Sequence, residues 1–542
     1  MWRTLNFTAK LSVYALTAAG VGAGAVSLTS DNFQYLSNLP DEARFGLSGL
    51  VRSSRAVFTI AVNVVDYKYS LYGLVEDSDE YGRELSEVYL RSAKRVLKLC
   101  ETNKGFYVKA GQFVAALRQV PKEYSSTLSS LQDQAVPCPF KFIREVLTSN
   151  LKKDLNEIFI SFDEEPIAAA SIAQVHHALL QNHEEVAVKV QYPGLKHLVR
   201  VDIATMSLLS KAVTLLFPDY RFGWILSAFK DAIAMELDFI QEARNSERTA
   251  ENFETNKRVK VPRVLWDWTT EQVLTMQFCS GNKIDDVEYL KKAGVDPIQV
   301  AMLLSEVFAS MVFIHGFVHG DPHPGNILIS LEPKHGFTIV LLDHGIYKEL
   351  DEDFRLDYCR LWRALILRNA NEIQQVGERF GIGKYFRYLP LIFTETTIES
   401  KSALGKGMST EERKMVKQEL KSLKMEDFSS FMESLPPDLL TILRTDGLLR
   451  SLLSKLGAPR HIRLLAYSKR AVDGLSTRRM AGSGLSPKTS FSRLKLSLDY
   501  YHLRCLLGFL ELVYLMEDVK HIVVGKLKHL VLRAARLLHL FS

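Results

Sequence analysis

Between Phe317 and Gly345 the chain reads FVHGDPHPGNILI, a short connector, and then FTIVLLDHG. No other stretch constrains the fold as tightly. It sets Asp321, Asn326 and Asp343 in a fixed order, beside two runs of strand-forming residues, Ile327–Ser330 and Phe337–Leu342. Phosphoryl transfer asks for this set: a carboxylate to accept or orient the acceptor hydroxyl, then an amide and a second carboxylate to hold magnesium against nucleotide phosphates. The plainer alternative is a polar loop between two strands, with His-Asp and Asp-His as surface turns. The strand context at both motifs favours the phosphoryl-transfer reading.

A chain of 542 residues, 47% hydrophobic and 24% charged, has room for two or three domains around a large core. The net charge of +6 is unevenly placed, since residues 459–542 carry 15 Lys and Arg against 5 Asp and Glu. The basic character therefore belongs to the C-terminal tail. Cys100, Cys138, Cys279, Cys359 and Cys505 lie far apart without a C-x-x-C, so neither a zinc site nor a disulfide framework is expected.

At the N-terminus Arg3 and Lys10 precede an uncharged run of 18 residues, Leu11–Leu28, and no acidic residue occurs before Asp31. As a helix the run spans about 27 Å, close to the hydrocarbon core of a bilayer. The basic, hydroxylated, acid-free start reads as mitochondrial targeting and the apolar run as an anchor; a secretory signal is the competing reading. Residues 41–134 read as helical, and within them Lys109-Ala110-Gly111-Gln112 falls in a segment from Phe106 to Leu117. Alone, K-x-G-Q describes a solvated lysine and a packing glycine.

After Pro137-Cys138-Pro139, a boundary, two alternating apolar runs joined at Gln181–Glu185 predict a hairpin. Its second strand holds Val186-Ala187-Val188-Lys189, the form in which a kinase lysine reaches nucleotide phosphates. Where kinases place a glycine-rich loop, Ala168-Ala169-Ala170-Ser171 stands instead. Their Cβ atoms restrict φ and hold the backbone further from phosphates, so a stiffer nucleotide cover is expected. The apolar period from Phe222 to Asn245 predicts one helix bearing Glu236, Asp238 and Glu242, with Asp238 and Glu242 on one face. Backbone groups at Met276-Gln277-Phe278 are expected to meet the adenine.

In this order, K-x-G-Q, A-A-A-S, V-A-V-K, E-L-D with Q-E-A-R-N, H-G-D-P-H-P-G-N and L-L-D-H-G resemble the UbiB-like, aarF-domain-containing family of atypical kinases over roughly residues 85–370. The resemblance implies that Lys189 binds phosphate, Glu242 holds that lysine, Asp321 is the catalytic-loop aspartate, and Asn326 and Asp343 are metal ligands. It makes Lys109 and Gln112 the family signature on helices that cover the peptide cleft, with Glu236 and Asp238 facing them. His344 departs from the family's usual Phe. Asp-His-Gly is similar to its mitochondrial, membrane-associated animal branch.

The fold expected is α+β and two-lobed. It comprises an anchor (1–30), a helical extension (31–136), an N-lobe (137–278), a helical C-lobe (279–473), and a linker with basic amphipathic helices (474–542). Residues 474–492 read as a flexible linker and Leu503–Met516 as an apolar segment. The cofactors implied are Mg2+ and ATP or ADP, at the mitochondrial inner membrane, with no nucleic acid as partner. Three functions remain open: a small-molecule or lipid kinase or ATPase in coenzyme Q or lipid homeostasis, an ordinary protein kinase, and a nucleotide-binding scaffold for mitochondrial membrane proteins.

Overall fold

In the computed structural model, residues 41–480 and 500–520 are described, apart from 77, 117–119, 134–136, 218–222, 335, 401, 403, 423–424 and 518. The expected anchor 1–30 and the basic stretch 521–541 lie outside the described residues.

The N-terminal extension is built from α1 (Asp41–Ser70), α2 (Asp79–Asn103), α3 (Phe106–Ala116) and α4 (Lys122–Leu128). Ser78 caps α2 by accepting the Tyr81 amide at 3.0 Å, and Asp79 and Glu80 complement the helix dipole. Asp66 of α1 takes Arg91 at 3.0 Å and Arg95 at 2.7 Å from α2. Burial opposes its charge, yet the two guanidinium groups hold its carboxyl down at about 2. In α3, a Cβ on Gly111 would stand 2.3 Å from Leu131 Cδ1. Gln112 donates to the Leu131 carbonyl at 2.9 Å. Two letters of K-x-G-Q therefore seat α3 on the chain that follows it, and only the lysine remains for chemistry.

In the N-lobe, α5 (Phe140–Leu151) covers a sheet of β1 (Phe159–Phe162), β2 (Ala168–Ala169), β3 (Ala173–Leu180), β4 (Glu185–Gln191) and β6 (Val273–Gln277), ordered β1-β3-β4-β6 with β2 on β3. Because side chains alternate across a strand, Val186, Val188 and Val190 enter one core with Ile143 and Leu147 of α5. Ala187 and Lys189 take the other face. That face looks onto α6 (Leu195–Leu216), α7 (Gly223–Glu236) and α8 (Phe239–Asn252). Buried Asp202 of α6 pairs with Arg52 of α1, which ties the extension to the lobe.

The single helix expected over 222–245 is two. The chain breaks at Leu237-Asp238, where Asp238 turns extended and caps α8 by accepting the Gln241 amide at 3.0 Å. Gln191 of β4 donates to the Leu237 carbonyl at 2.9 Å and stitches the break to the sheet. Apolar periodicity runs through such a joint because the residues on both sides face one core.

The C-lobe centres on α9 (Pro297–Ser310), whose turns continue to His315. Pro297–His315 is long and apolar enough to cross a membrane, but Leu304, Phe308 and Val312 make it the middle of the lobe's core. Around it stand β5 (Val259–Lys260), β7 (Asn282–Lys283), β8 (Phe317–His319), β9 (Ile327–Glu332), β10 (Gly336–Leu341) and β11 (Tyr347–Glu349). They form the sheets β5-β10-β9-β7 and β11-β8. Helices α10 (Glu352–Leu367), α11 (Pro437–Lys455) and α12 (Arg460–Met480) pack in the same lobe, with shorter helices between Ala370 and Ser434. The linker expected from Gly474 does not begin there. A Cβ at Gly474 would lie 2.3 Å from the Phe313 carbonyl oxygen. This glycine lets α12 approach the end of α9, and the helix runs on to Met480. Residues 500–517 form a helix, α13, whose Leu503, Leu507 and Tyr514 cluster with Leu465 and Val472 of α12.

Candidate active site

Two lysines from opposite sides meet four carboxylates between the lobes. Lys189 of β4 donates to Glu242 Oε1 at 2.6 Å and to Asp343 Oδ2 at 2.8 Å, over the ring of Phe239. Burial works against its ammonium charge, yet Asp343 and Glu242 hold its pKa above the ordinary value. Burial likewise opposes ionisation of Asp343, and Lys189 more than reverses this, holding the carboxyl well below the usual range. Glu242, 1% exposed, is pushed up to about 7 by burial despite the lysine beside it. Its place one turn into α8 follows from the cap at Asp238.

The second lysine belongs to the extension. Lys109 Nζ lies 2.6 Å from Glu236 Oε1, at the end of α7, and 3.4 Å from Asp321 Oδ2. Burial penalises all three charges. Even so, Lys109 and then Arg444 hold the Asp321 carboxyl below its ordinary value, while burial leaves Glu236 raised. The helix break turns Glu236 and Glu242 to different lysines. Asp238, which the resemblance set beside Glu236, is exposed and spends a carboxylate oxygen on its cap.

Asp321 and Asn326 lie between β8 and β9. The Asn326 amide nitrogen donates to the Asp321 carbonyl at 3.2 Å, and the Asp321 backbone amide donates to His319 Nδ1 at 3.0 Å. Burial keeps His319 neutral, and its ring also meets the Asp343 backbone. His344 fills its unusual position by bonding at both ends, to the Tyr347 hydroxyl at 3.1 Å and the Leu341 carbonyl at 3.1 Å. Burial depresses its pKa to about 3, so it is neutral. Asn245 of α8 donates to the His344 carbonyl at 3.0 Å. A polar ring here replaces an apolar anchor without disturbing Asp343, whose Oδ1 accepts the Gly345 amide at 3.0 Å.

His319 and Arg444 were not singled out in the sequence. His319 had a signal, since it lies two residues before Asp321. Arg444 had none: α11 reaches the site only through tertiary packing, with Thr445 donating to the His319 carbonyl at 3.4 Å and Arg444 over the Phe113 ring of α3 at 4.4 Å.

The alanine loop is fastened as well as stiff. Ala168 and Ala169 pair with Val175 and Gln174, and the Ala170 amide donates to the Ala173 carbonyl at 2.8 Å. Beyond buried Ser171, Ile172 sinks into the core shared with Phe106 and Tyr107 of the extension. One hinge expectation needs correction. The Phe278 amide donates to the Glu185 carbonyl at 3.1 Å, closing the edge of the sheet, and is not presented to a nucleotide. Met276, paired with Ala187, is buried with its side chain in the same core.

The donor set suits magnesium. Asn326 Oδ1 and the Asp343 carboxylate offer hard oxygen donors, Asp343 keeps 32% of its side chain exposed, and carboxylates outnumber ammonium groups there. Magnesium takes one or two such protein ligands and completes its shell with water and phosphate. Among the described residues, no group of three or more His, Cys, Asp or Glu offers a self-sufficient metal cage.

Residues 130–377 match the family described as the ABC1 atypical kinase-like domain. Over 445 residues the chain is 38% identical to AarF domain-containing protein kinase 1 of Xenopus tropicalis, covering 81% of this chain and 84% of that one. Identity to the Mus musculus protein of the same name is 38% over 451 residues, covering 82% and 84%. To AarF domain-containing kinase 1 of Drosophila melanogaster it is 35% over 442 residues, covering 81% and 85%. With a lysine strand, an acid helix and a catalytic loop joined in one cleft, the chain belongs to the AarF domain-containing, ABC1-type family of atypical kinases.

Proposed function

We propose that this kinase binds a magnesium–adenine nucleotide complex between its lobes and passes the terminal phosphoryl group to water or to a small, membrane-borne molecule, not to a protein hydroxyl. The observation that carries the reading is the 3.4 Å contact of Lys109 with Asp321. It sets α3 of the extension against Asp321, and in the family that the chain resembles the K-x-G-Q helices cover the cleft in which a protein kinase receives its peptide.

Lys189 holds the phosphates and Glu242 holds Lys189. Phosphate oxygens would compete with Asp343 for the ammonium group, and Asp343 and Asn326 are the residues that would hold magnesium. Magnesium there supplies charge neutralisation on the phosphoryl oxygens. Asp321, kept ionised by Lys109 and Arg444, orients the acceptor hydroxyl or water and takes its proton as the bond forms. Proximity and charge stabilisation account for most of the rate in such chemistry.

The same reading sets the protein at the mitochondrial inner membrane, held by residues 1–30, in lipid or coenzyme Q homeostasis and beside mitochondrial membrane proteins. The basic, acid-free start and the uncharged Leu11–Leu28 run support it. The test follows γ-phosphate radiolabel from ATP in membranes containing the full chain. Label is expected, with magnesium, in inorganic phosphate or in the organic extract. Label that goes mainly to protein serine or threonine overturns the acceptor assignment.

A further inference from the structure

Three consecutive residues of α11 reach three different parts of the molecule. Successive side chains on a helix point about 100° apart, so Arg444, Thr445 and Asp446 face different ways. Asp446, 3% exposed, is set into the C-lobe, where it takes Arg463 at 2.8 Å and Arg450 at 2.6 Å. Those two arginines also donate to the chain beside them, Arg463 to the Phe393 carbonyl at 3.0 Å and Arg450 to the Ile392 carbonyl at 2.7 Å. Thr445 donates to the carbonyl of His319 at 3.4 Å, two residues before Asp321. Arg444 reaches out of the lobe and lies over the ring of Phe113, on α3 of the extension, at 4.4 Å. Because Asp446 fixes this turn of α11, the point from which Arg444 projects is fixed too.

Helix α3 depends on contacts of this kind. At 11 residues it is too short to be stable alone. On one side it faces an apolar cavity of about 440 Å³, to whose lining Ala110, Gly111 and Phe113 contribute, and a void supplies no packing atoms. Phe113, 4% exposed, stands one turn along from Lys109, so the two share a face of the helix. Lys109 Nζ is 3.4 Å from Asp321 Oδ2, and Arg444 covers the neighbouring ring. The buried Nε of Arg444 has no hydrogen-bond partner; it is the ring face that seats this cation, and Asp321 feels its charge as well.

We infer that Arg444 is a positioning residue for phosphoryl transfer: by clamping Phe113 it holds α3, and with it Lys109, in register with Asp321. One turn of α11 then aligns both sides of the contact, the strand that leads to Asp321 through Thr445 and the helix that brings Lys109 through Arg444. A cation over an aromatic face shifts an equilibrium by a factor of about 2 to 30, which sets how far α3 should loosen when the cation is removed. Lys189 is anchored separately, on Glu242 at 2.6 Å, so nucleotide affinity should not follow the position of α3.

The test has two arms, both on the full-length protein in lipid nanodiscs. In the first, without nucleotide, amide exchange is followed by mass spectrometry along α3 and, as a control, along α8. Arg444 is partly exposed, so Arg444→Gln should fold, and it should speed exchange on α3 about 2- to 30-fold while α8 is unchanged. Phe113→Leu reads the same contact from the other side and should also speed α3. In that background Arg444→Gln should add nothing, and Arg444→Lys, which keeps a cation over the ring, should retain most of the parent's protection. In the second arm, magnesium-dependent ATP turnover by Arg444→Gln should show a lower kcat at unchanged KM. This arm alone rests on the phosphoryl-transfer reading; a parent without turnover counts against that reading, and the exchange arm then decides the clamp. Unaltered α3 exchange in Arg444→Gln, additive effects in the double variant, or exchange in Arg444→Lys as fast as in Arg444→Gln would each overturn the inference. So would a raised KM with kcat unchanged.

Discussion

The buried charge cluster makes an ordering of stabilities that can be measured without any substrate. Removing one partner of a buried ion pair costs about 3 to 5 kcal/mol. In Glu242→Gln, Lys189 keeps Asp343 at 2.8 Å, so the cost should fall near about 3 kcal/mol. Lys189→Met strips two carboxylates at once. Asp343 can turn to water, but Glu242, at 1% exposure, cannot, which moves the cost toward about 5 kcal/mol. At about 3 °C per kcal/mol for a unit of this size, melting should fall by about 9 and about 15 °C respectively. The pH dependence separates the two variants further. Beside its lysine, Glu242 already titrates at about 7; without it, the folded-state pKa rises higher while the unfolded value is unchanged. Above pH 7 the folded variant therefore binds more protons than the folded parent, and its deficit widens as pH rises. Glu242→Gln has no such group, and its deficit should not widen this way. The assay is thermal melting of the lipid-reconstituted full chain at about pH 7 and about pH 9. Equal losses for both variants, or a Lys189→Met deficit that stays flat with pH, would refute the reasoning.

Other outcomes follow from the same geometry. Lys109→Met removes the largest influence holding the Asp321 carboxyl down, so the acid limb of the turnover–pH profile should move to higher pH; an unmoved limb means that Asp321 is not the titrating group. Ala169→Gly relaxes a strand residue paired with Gln174, at a stability cost of at most about 1 kcal/mol, and should change the preference between ATP and ADP in equilibrium binding. Unchanged affinities there, and for the same change at Ala168 and Ala170, would show that the loop does not set selectivity. A chain starting at Asp31 should be released by carbonate extraction; retention in the membrane pellet would move the anchor to α13, whose Phe509, Leu512 and Leu515 are exposed.

Local chemistry made the lysine strand and the catalytic loop legible in advance. Period-two alternation set Lys189 opposite three valines, and the spacing of Asp321, Asn326 and Asp343 reappears around β9 and β10. What stayed hidden depended on contacts between distant segments. The joint at Asp238 is invisible to apolar periodicity because a cap replaces one turn of helix while both flanks keep the same core. Gly474 reads as linker composition, yet it is a contact glycine against Phe313. The destination of Lys109 could be expected from the resemblance, but not that Glu236 alone of the E-x-D pair would meet it. Arg444 and the apolar cavity carry no sequence signature, since each arises where separate helices happen to converge.

The central claim, that the cleft performs metal-assisted phosphoryl transfer, is tested most directly at Asp343. Asp343→Asn removes one negative charge from the inferred magnesium site while nearly preserving volume, and Lys189 keeps Glu242 at 2.6 Å, so the fold should persist. The measurement is magnesium-dependent ATP turnover by the full chain in lipid, parent against variant, alongside rescue of cells lacking the protein. Slow turnover is expected of the parent, with a folded variant whose turnover is reduced by orders of magnitude and which gives no rescue. Full rescue by Asp343→Asn at normal abundance, together with no detectable turnover by the parent on membranes, would contradict it.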